Sequence, residues 1–270
     1  MEKKFKVDPV WRHSKEEIWD DIFKNISTPE KNITLNRGLF THRKTYLYAA
    51  AALLAILLVP FLYSKDVYTE RAEHLKYLLP DGTSVFLNAE SRISYKPLLW
   101  FAVREVNLYG EAFFEVTSGR PFKVNAGTGY IEVLGTSFNL YSRESRLNVF
   151  CSSGIVRVTL NADKSNPQII KGGESVEAVS ETLEKRTNYS DVIRSQWVER
   201  RYSFISEPLL NVVEELERQY NIDIIIEVKS NLLYTGSFEL SSNPEDVMEI
   251  VALPFSLNIV KKEDGVYIIK

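Results

Sequence analysis

Two hundred and seventy residues, 44% of them apolar and 26% charged, make one large domain or two ordinary ones and exclude wholesale disorder. With 33 basic and 36 acidic side chains the net charge is −3, so no overall field draws the chain to nucleic acid. Cys151 is the only cysteine, which excludes an internal disulfide and a Cys-based zinc cluster, and His13, His42 and His74 all precede residue 75. Everything downstream therefore lacks the imidazole of a Ser-His-Asp or Cys-His site.

Residues 1 to 44 carry ten basic and seven acidic side chains. Ser14 followed by Glu17 fits a capping box. Ile18, Trp19, Ile22, Phe23 and Ile26 then recur at helical spacing, opposite Glu16, Asp20, Asp21 and Lys24. This predicts an amphipathic helix from Ser14 to Ile26, stopped by Ser27-Thr28-Pro29. So short a helix is marginal alone in water, and Trp11, Trp19 and Phe23 are hard to bury in so small a segment. A self-packed helical pair is one reading; the preferred one is a groove-binding helix that orders on a partner through Trp11, Ile18, Trp19, Ile22 and Phe23.

Thr45 to Ser64 follows without a charge, between Lys44 and Lys65. At a rise of ~1.5 Å per residue it reaches roughly 30 Å, the thickness of a bilayer's hydrocarbon core. Tyr46, Tyr48 and Tyr63 stand at its ends, where amphipathic rings favour the headgroups. The run has no polar stripe for a core helix, no charged face for an interfacial one, and bulky Phe61, Leu62 and Tyr63 where a signal-peptidase site needs small residues. It predicts a single transmembrane helix over 45–64. Lys31, Arg37, Arg43 and Lys44 precede it and Lys65, Arg71 and Lys76 follow, which orients the N-terminus to the cytoplasm and exports the rest.

From Leu75 to Tyr189 apolar residues alternate at period two, as in Val85/Leu87, Val106/Leu108, Phe114/Val116, Phe138/Leu140 and Val156/Val158/Leu160. Turn signals such as Pro80-Asp81-Gly82, Gly127-Thr128-Gly129 and Lys171-Gly172-Gly173 separate them. About ten short strands without a helical run predict an all-β sandwich, barrel or short solenoid. After a polar joint from Glu181 to Arg194 the pattern changes. A strand over Tyr202–Ile205 precedes a helix opened by Pro208, with Leu209, Val212, Val213, Leu216 and Tyr220 on one face. Strands over Ile222–Val228 and Gly236–Leu240, a helix opened by Asn243-Pro244, and a hairpin of Phe255–Val260 and Val266–Ile269 about Asp264-Gly265 complete it. The order β-α-β-β-α-β-β describes a small two-layer α+β domain.

Leu79-Pro80-Asp81-Gly82-Thr83-Ser84-Val85-Phe86-Leu87-Asn88-Ala89 with Ser91, Ile93 and Tyr95 forms the first of four ordered blocks. The others are Arg104-Glu105-Val106 with Leu108 and Gly110 to Val116, Pro121 to Val124, and Val133 to Asn139. Together they resemble the FecR family of single-pass anti-sigma regulators. Phe204, Pro208-Leu209, Leu216-Glu217, Tyr220-Asn221-Ile222, Gly236 and Phe238 are similar to the secretin/TonB short N-terminal-like domain that follows in many members. Lys96 to Ala102 is bulkier than the family's polar loop, and Cys151-Ser152-Ser153 is less acidic than its usual approach to Gly154.

The resemblance implies a mixed architecture. Residues 1–44 form the sigma-interacting segment, 45–64 the transmembrane helix, 71–189 a solenoid- or sandwich-like FecR β domain in the periplasm, and 197–270 the α+β domain. It also implies a relay in the inner membrane. The periplasmic signalling domain of a TonB-dependent outer-membrane receptor engages the exported part, and the cytoplasmic segment holds, then releases or activates, an extracytoplasmic-function sigma factor. Regulatory proteases often cut such regulators in steps. Ile222, Ile224, Ile226, Val266 and Ile268 either offer the receptor a strand edge for β-augmentation or lie in internal strands.

No residue pattern asks for catalysis, a cofactor or a metal. Gly135-Thr136-Ser137-Phe138-Asn139 lacks the last glycine and the histidine of a nucleophile elbow. Gly127, Gly129 and Gly135 have the wrong spacing for a dinucleotide loop. Glu111 and Glu115 share a strand face and read as a solvated surface rather than paired carboxylates, and Cys151 reads as a small buried hydrophobe. The other classes left open are a membrane-tethered periplasmic glycan- or peptidoglycan-binding module, which needs aromatics clustered on an exposed β face, and a hydrolase, which needs carboxylates converging in a pocket.

Overall fold

Helix α1 (Lys15–Ile26) starts where its capping box puts it. The Glu17 amide donates to Ser14 Oγ at 3.2 Å and the Ser14 amide to Glu17 Oε2 at 3.1 Å, so two otherwise orphaned donors are satisfied. These observations come from a computed structural model that describes residues 13–26, 41–179, 182–186, 195–228, 231–241 and 243–270. Trp11 and most of the joint from 181 to 194 fall outside them. The chain divides into two units, residues 1–53 and 54–270.

Helix α2 (Thr41–Leu62) spans 22 residues and contains nearly all of the charge-free run. Tyr46, Leu47, Leu53, Leu54, Ile56 and Phe61 are exposed along it. Among the described residues no helix is long and apolar enough to cross a membrane.

Thirteen strands follow among the described residues, twelve of them in the stretch from Leu75 where about ten were expected. They are β1 (Lys65–Tyr68), β2 (Leu75–Leu78), β3 (Ser84–Leu87), β4 (Arg92–Tyr95), β5 (Arg104–Glu115), β6 (Phe122–Asn125), β7 (Gly129–Val133), β8 (Ser137–Arg143), β9 (Arg146–Ser153), β10 (Ile155–Leu160), β11 (Gln168–Lys171), β12 (Ser175–Val179) and β13 (Thr182–Arg186). They form two layers that share β5. Its first half pairs with β4 and β6, in a layer ordered β1-β4-β5-β6-β7-β10-β11. Its second half pairs with β3 and β8, in a layer ordered β2-β3-β5-β8-β9-β12-β13. Gly110 lies at the changeover with φ +102°, and a Cβ there would stand 2.7 Å from the Ser91 Cα. Only glycine fits both conditions.

Between the layers lies one core to which β5 contributes Val106, Leu108, Ala112 and Phe114. Phe114 stacks on Phe138 in its own layer at 5.0 Å and reaches Phe122 in the other at 6.0 Å. Cys151 is fully buried among these side chains as a free thiol, pushed up to about 11 by desolvation and then by Glu174. The Pro80-Asp81-Gly82-Thr83 block is a structural clamp. Buried Arg104 donates through Nε to Asp81 Oδ2 at 2.6 Å, through Nη1 to the Arg120 carbonyl at 2.5 Å and through Nη2 to the Thr117 carbonyl at 2.9 Å.

The C-terminal domain has the expected order. A 3₁₀ turn (Ser195–Glu199) leads to β14 (Arg201–Pro208), α3 (Leu209–Tyr220), β15 (Asp223–Ile226), β16 (Leu233–Glu239), α4 (Pro244–Ala252), β17 (Ile259–Glu263) and β18 (Val266–Ile269). The strands make two small sheets, β14-β16 and β15-β18-β17. Helix α3 buries Leu209, Val212, Val213 and Leu216, and α4 buries Val247, Met248 and Val251 against them. Asn243 caps α4 by accepting from the Glu245 amide at 3.2 Å. The strand expected over Ile222–Val228 narrows to four residues, because Ile222 follows the left-handed Asn221 that ends α3. Phe255 belongs to a 3₁₀ turn rather than the terminal hairpin.

Candidate functional site

The outer face of β3, β5 and β8 is covered by the C-terminal domain, and this corrects the reading of Glu111 as solvated. Along β5 the side chains of Glu111, Phe113 and Glu115 alternate with the core set. Phe113 and Phe86 pack into the apolar cluster of the C-terminal domain, Glu111 is 7% exposed, and Glu115 is exposed.

Glu111 organises the polar part of this seam. Asn88 Nδ2 and Asn139 Nδ2 each donate to one of its carboxylate oxygens at 2.7 Å. Each asparagine then accepts from the other domain. Trp197 Nε1 donates to Asn139 Oδ1 at 3.0 Å, and Gln219 Nε2 donates to Asn88 Oδ1 at 2.8 Å. Gln219 also donates to Glu215 at 2.7 Å and lies 2.8 Å from His74 Nε2. Arg218 donates to Glu215 through Nε and Nη2 at 3.1 and 2.8 Å, and Arg146 reaches across to Glu214 at 3.1 Å. Desolvation, then the nearby charge of Glu215, lifts Glu111 to about 7. Glu215 is buried as deeply, and burial alone would raise it; Arg218 and Arg143 outweigh that and hold it below the usual carboxylate range.

Two carboxylates whose proton affinities are pushed apart are a pattern seen at acid–base centres. Here both oxygens of Glu111 accept from asparagine amides, and the cavity lined by Glu111, Asn139, Trp197, Tyr202, Glu215 and Arg218 is about 120 Å³. That is below the ~300–1,000 Å³ of small-molecule sites. The network joins the two domains. Asn88, Asn139, Trp197 and Gln219 were not singled out from the sequence. The available signal was Asn139 inside a strand, where that residue type is depleted.

The family model described as FecR protein matches residues 65–157, and that described as FecR, C-terminal matches residues 201–268. The chain belongs to the FecR family of anti-sigma regulators. Two crystal structures of a protein assigned as an anti-sigma factor from Parabacteroides distasonis resemble it, each with a TM-score of 0.69 and 25% identity. They cover 77% and 76% of this chain and 98% of their own. No curated protein matches the chain. The FecR match begins at β1, six residues before the boundary read from the sequence at 71, and the C-terminal domain takes the FecR C-terminal model.

The residues expected to meet a sigma factor in this FecR chain lie on α1, apart from Trp11. Ile18, Trp19, Ile22 and Phe23 are all exposed, Trp19 by 53%, and the rings of Trp19 and Phe23 lie 6.0 Å apart. The residues expected to meet a receptor are divided between two environments. Ile222 and Ile224 are buried in the domain core, and Ile226, Val266 and Ile268 are half-buried. Strand β18 is central in its sheet, so it has no edge to offer; β15 and β17 each keep one among the described residues. Across the outer face of that sheet Ile225, Ile268 and Val260 stand in register and form a short apolar row.

Proposed function

We propose that this FecR chain is a single-pass relay in the inner membrane, with α1 cytoplasmic and everything after α2 periplasmic. The observation that carries the reading is the pairing of two surfaces by one apolar helix. On one side α1 presents Ile18, Trp19, Ile22 and Phe23; on the other stands the FecR sandwich with its docked C-terminal domain. At ~1.5 Å per residue, the charge-free part of α2 from Thr45 to Leu62 reaches about 27 Å, close to the hydrocarbon thickness of a bilayer.

In this reading α1 fills an apolar groove on an extracytoplasmic-function sigma factor. The periplasmic signalling domain of a TonB-dependent receptor meets the C-terminal domain, along the free β15 edge and the Ile225–Ile268–Val260 row. One spanning helix is a poor rigid lever, so regulatory proteolysis or dissociation transmits the signal more readily than a tilt, and the output is transcription of nutrient-uptake genes. A glycan-binding module is disfavoured by the covering of Phe86 and Phe113.

The test is co-purification. Trp19→Glu in the full chain should abolish recovery of the cognate sigma factor while leaving the chain in the membrane fraction. Undiminished recovery would remove α1 from the account, and loss of the chain from the membrane fraction would remove the span.

A further inference from the structure

The register Lys65↔Tyr95 puts the start of β1 beside the end of β4. Only Tyr63 and Ser64 separate α2 from β1, and Ser64 Oγ lies 3.5 Å from the Tyr95 carbonyl. The loop of residues 96–103 leaves β4 at that same corner. Its backbone is tied down: Ala102 and Val103 both donate to the Leu99 carbonyl at 2.9 Å. Trp100 is buried, 5.3 Å from the Tyr95 ring and 6.1 Å from Phe122. Arg120 donates to the carbonyls of Phe101 and Trp100. Held this way, the loop turns Leu98, Phe101 and Val103 into solvent, with Phe101 76% exposed. Lys96 precedes the loop and Arg120 holds it, Lys65 stands opposite Tyr95 in the register of β1 and β4, and the carboxylate of Glu105 accepts from Asn125 at 2.7 Å.

We propose that this loop is a membrane-docking surface, seated in the headgroup layer next to the point where α2 leaves the bilayer. The inference rests on the reading of α2 as a span. A rigid loop that exposes an aromatic and two aliphatic side chains next to basic residues fits the interfacial layer of an anionic membrane, where rings sit at headgroup depth and lysine or arginine meets phosphate. Two residues of linker keep the loop at the membrane surface, so docking adds contact without further loss of freedom. The docked loop fixes how the sandwich stands on the membrane and hence which face it offers upward.

The test uses the full chain in nanodiscs containing phosphatidylglycerol, with a bimane label placed singly by Phe101→Cys, Leu54→Cys or Lys164→Cys. Cys151 stays unlabelled because it is buried and its thiol is pushed up to about 11. Lys164 lies in the β10–β11 loop, at the opposite end of the layer from Phe101. Lipids brominated high on the acyl chain should quench the labels at 54 and 101 at least threefold more than the label at 164. Quenching at 54 with 101 no better than 164 would overturn the docking and leave the span. Should aqueous iodide also fail to reach 101 in that case, a second copy of the chain covers the loop, which equally overturns it. No quenching at 54 would overturn the span and the inference with it.

Discussion

Raising the pH through neutrality should loosen the seam between the two domains, and Glu111 sets by how much. Its carboxyl moves from an ordinary 4.5 to about 7 in the folded chain, through desolvation first and Glu215 second. The folded chain thus holds this proton more tightly than the unfolded one. The resulting stabilisation is complete below about pH 4.5 and is lost as pH rises through about 7. At ~1.4 kcal/mol per tenfold in proton affinity, the loss is about 3 kcal/mol, roughly a hundredfold in the opening equilibrium. Glu215 is shifted the other way, so its contribution is lost only at pH below the usual carboxylate range.

Amide hydrogen exchange of the full chain in detergent, corrected for intrinsic rates, reads this directly. Peptides containing Trp197 and residues 138–142 should lose about a hundredfold protection between pH 5 and pH 8. Glu111→Gln removes the titration and sets one amide donor against an asparagine donor. The seam should then be weaker at every pH but lose most of that slope. An unchanged slope in the variant would refute the assignment to Glu111.

Two further predictions concern the sandwich itself. Gly110→Ala should cost about 3 kcal/mol or more in urea unfolding, from ~1–2 for the left-handed backbone and ~1–3 for moving the Ser91 backbone. Gly173→Ala, at φ +86° in open space, should show only the first part; equal losses would contradict the account of the changeover. Arg104→Ala should cost about 2–3 kcal/mol by removing the cationic partner of half-buried Asp81 and the donor to two carbonyls, whereas Arg92→Ala, which breaks an exposed pair with Asp66, should cost less than ~1. Matching unfolding midpoints for these two variants would show that the Arg104 clamp is not structural.

The parts of this fold that rest on short-range chemistry were legible in the sequence. Ser14 and Glu17 announced α1, Asn243-Pro244 announced α4, and Asp264-Gly265 announced the last hairpin, because each signal acts within four residues. The seam was illegible for a related reason. Period-two alternation puts Glu111 on the face opposite Val106 and Phe114, but nothing in it says whether water or another domain covers that face. Strand β1 escaped notice because Val67 is its one buried side chain and the charged Lys65 and Asp66 flank the apolar run. The receptor residues show the same limit. Ile224 and Ile268 look equivalent as β-branched strand residues, yet the pleat turns one into the core and leaves the other on the open face.

Strand β5 has a mechanical meaning that goes beyond its place in the list of strands. Tearing β4 or β6 away strips the first half of a rod whose second half holds the opposite wall, so damage begun in either wall spreads through the common member to the other. The C-terminal domain rests on that same second half through Glu111 and Phe113, and it loses its footing in the same event. Within the sandwich, loss of either wall is therefore coupled to loss of the other, and an enzyme that scans those strands for a loose end meets a sharp threshold there.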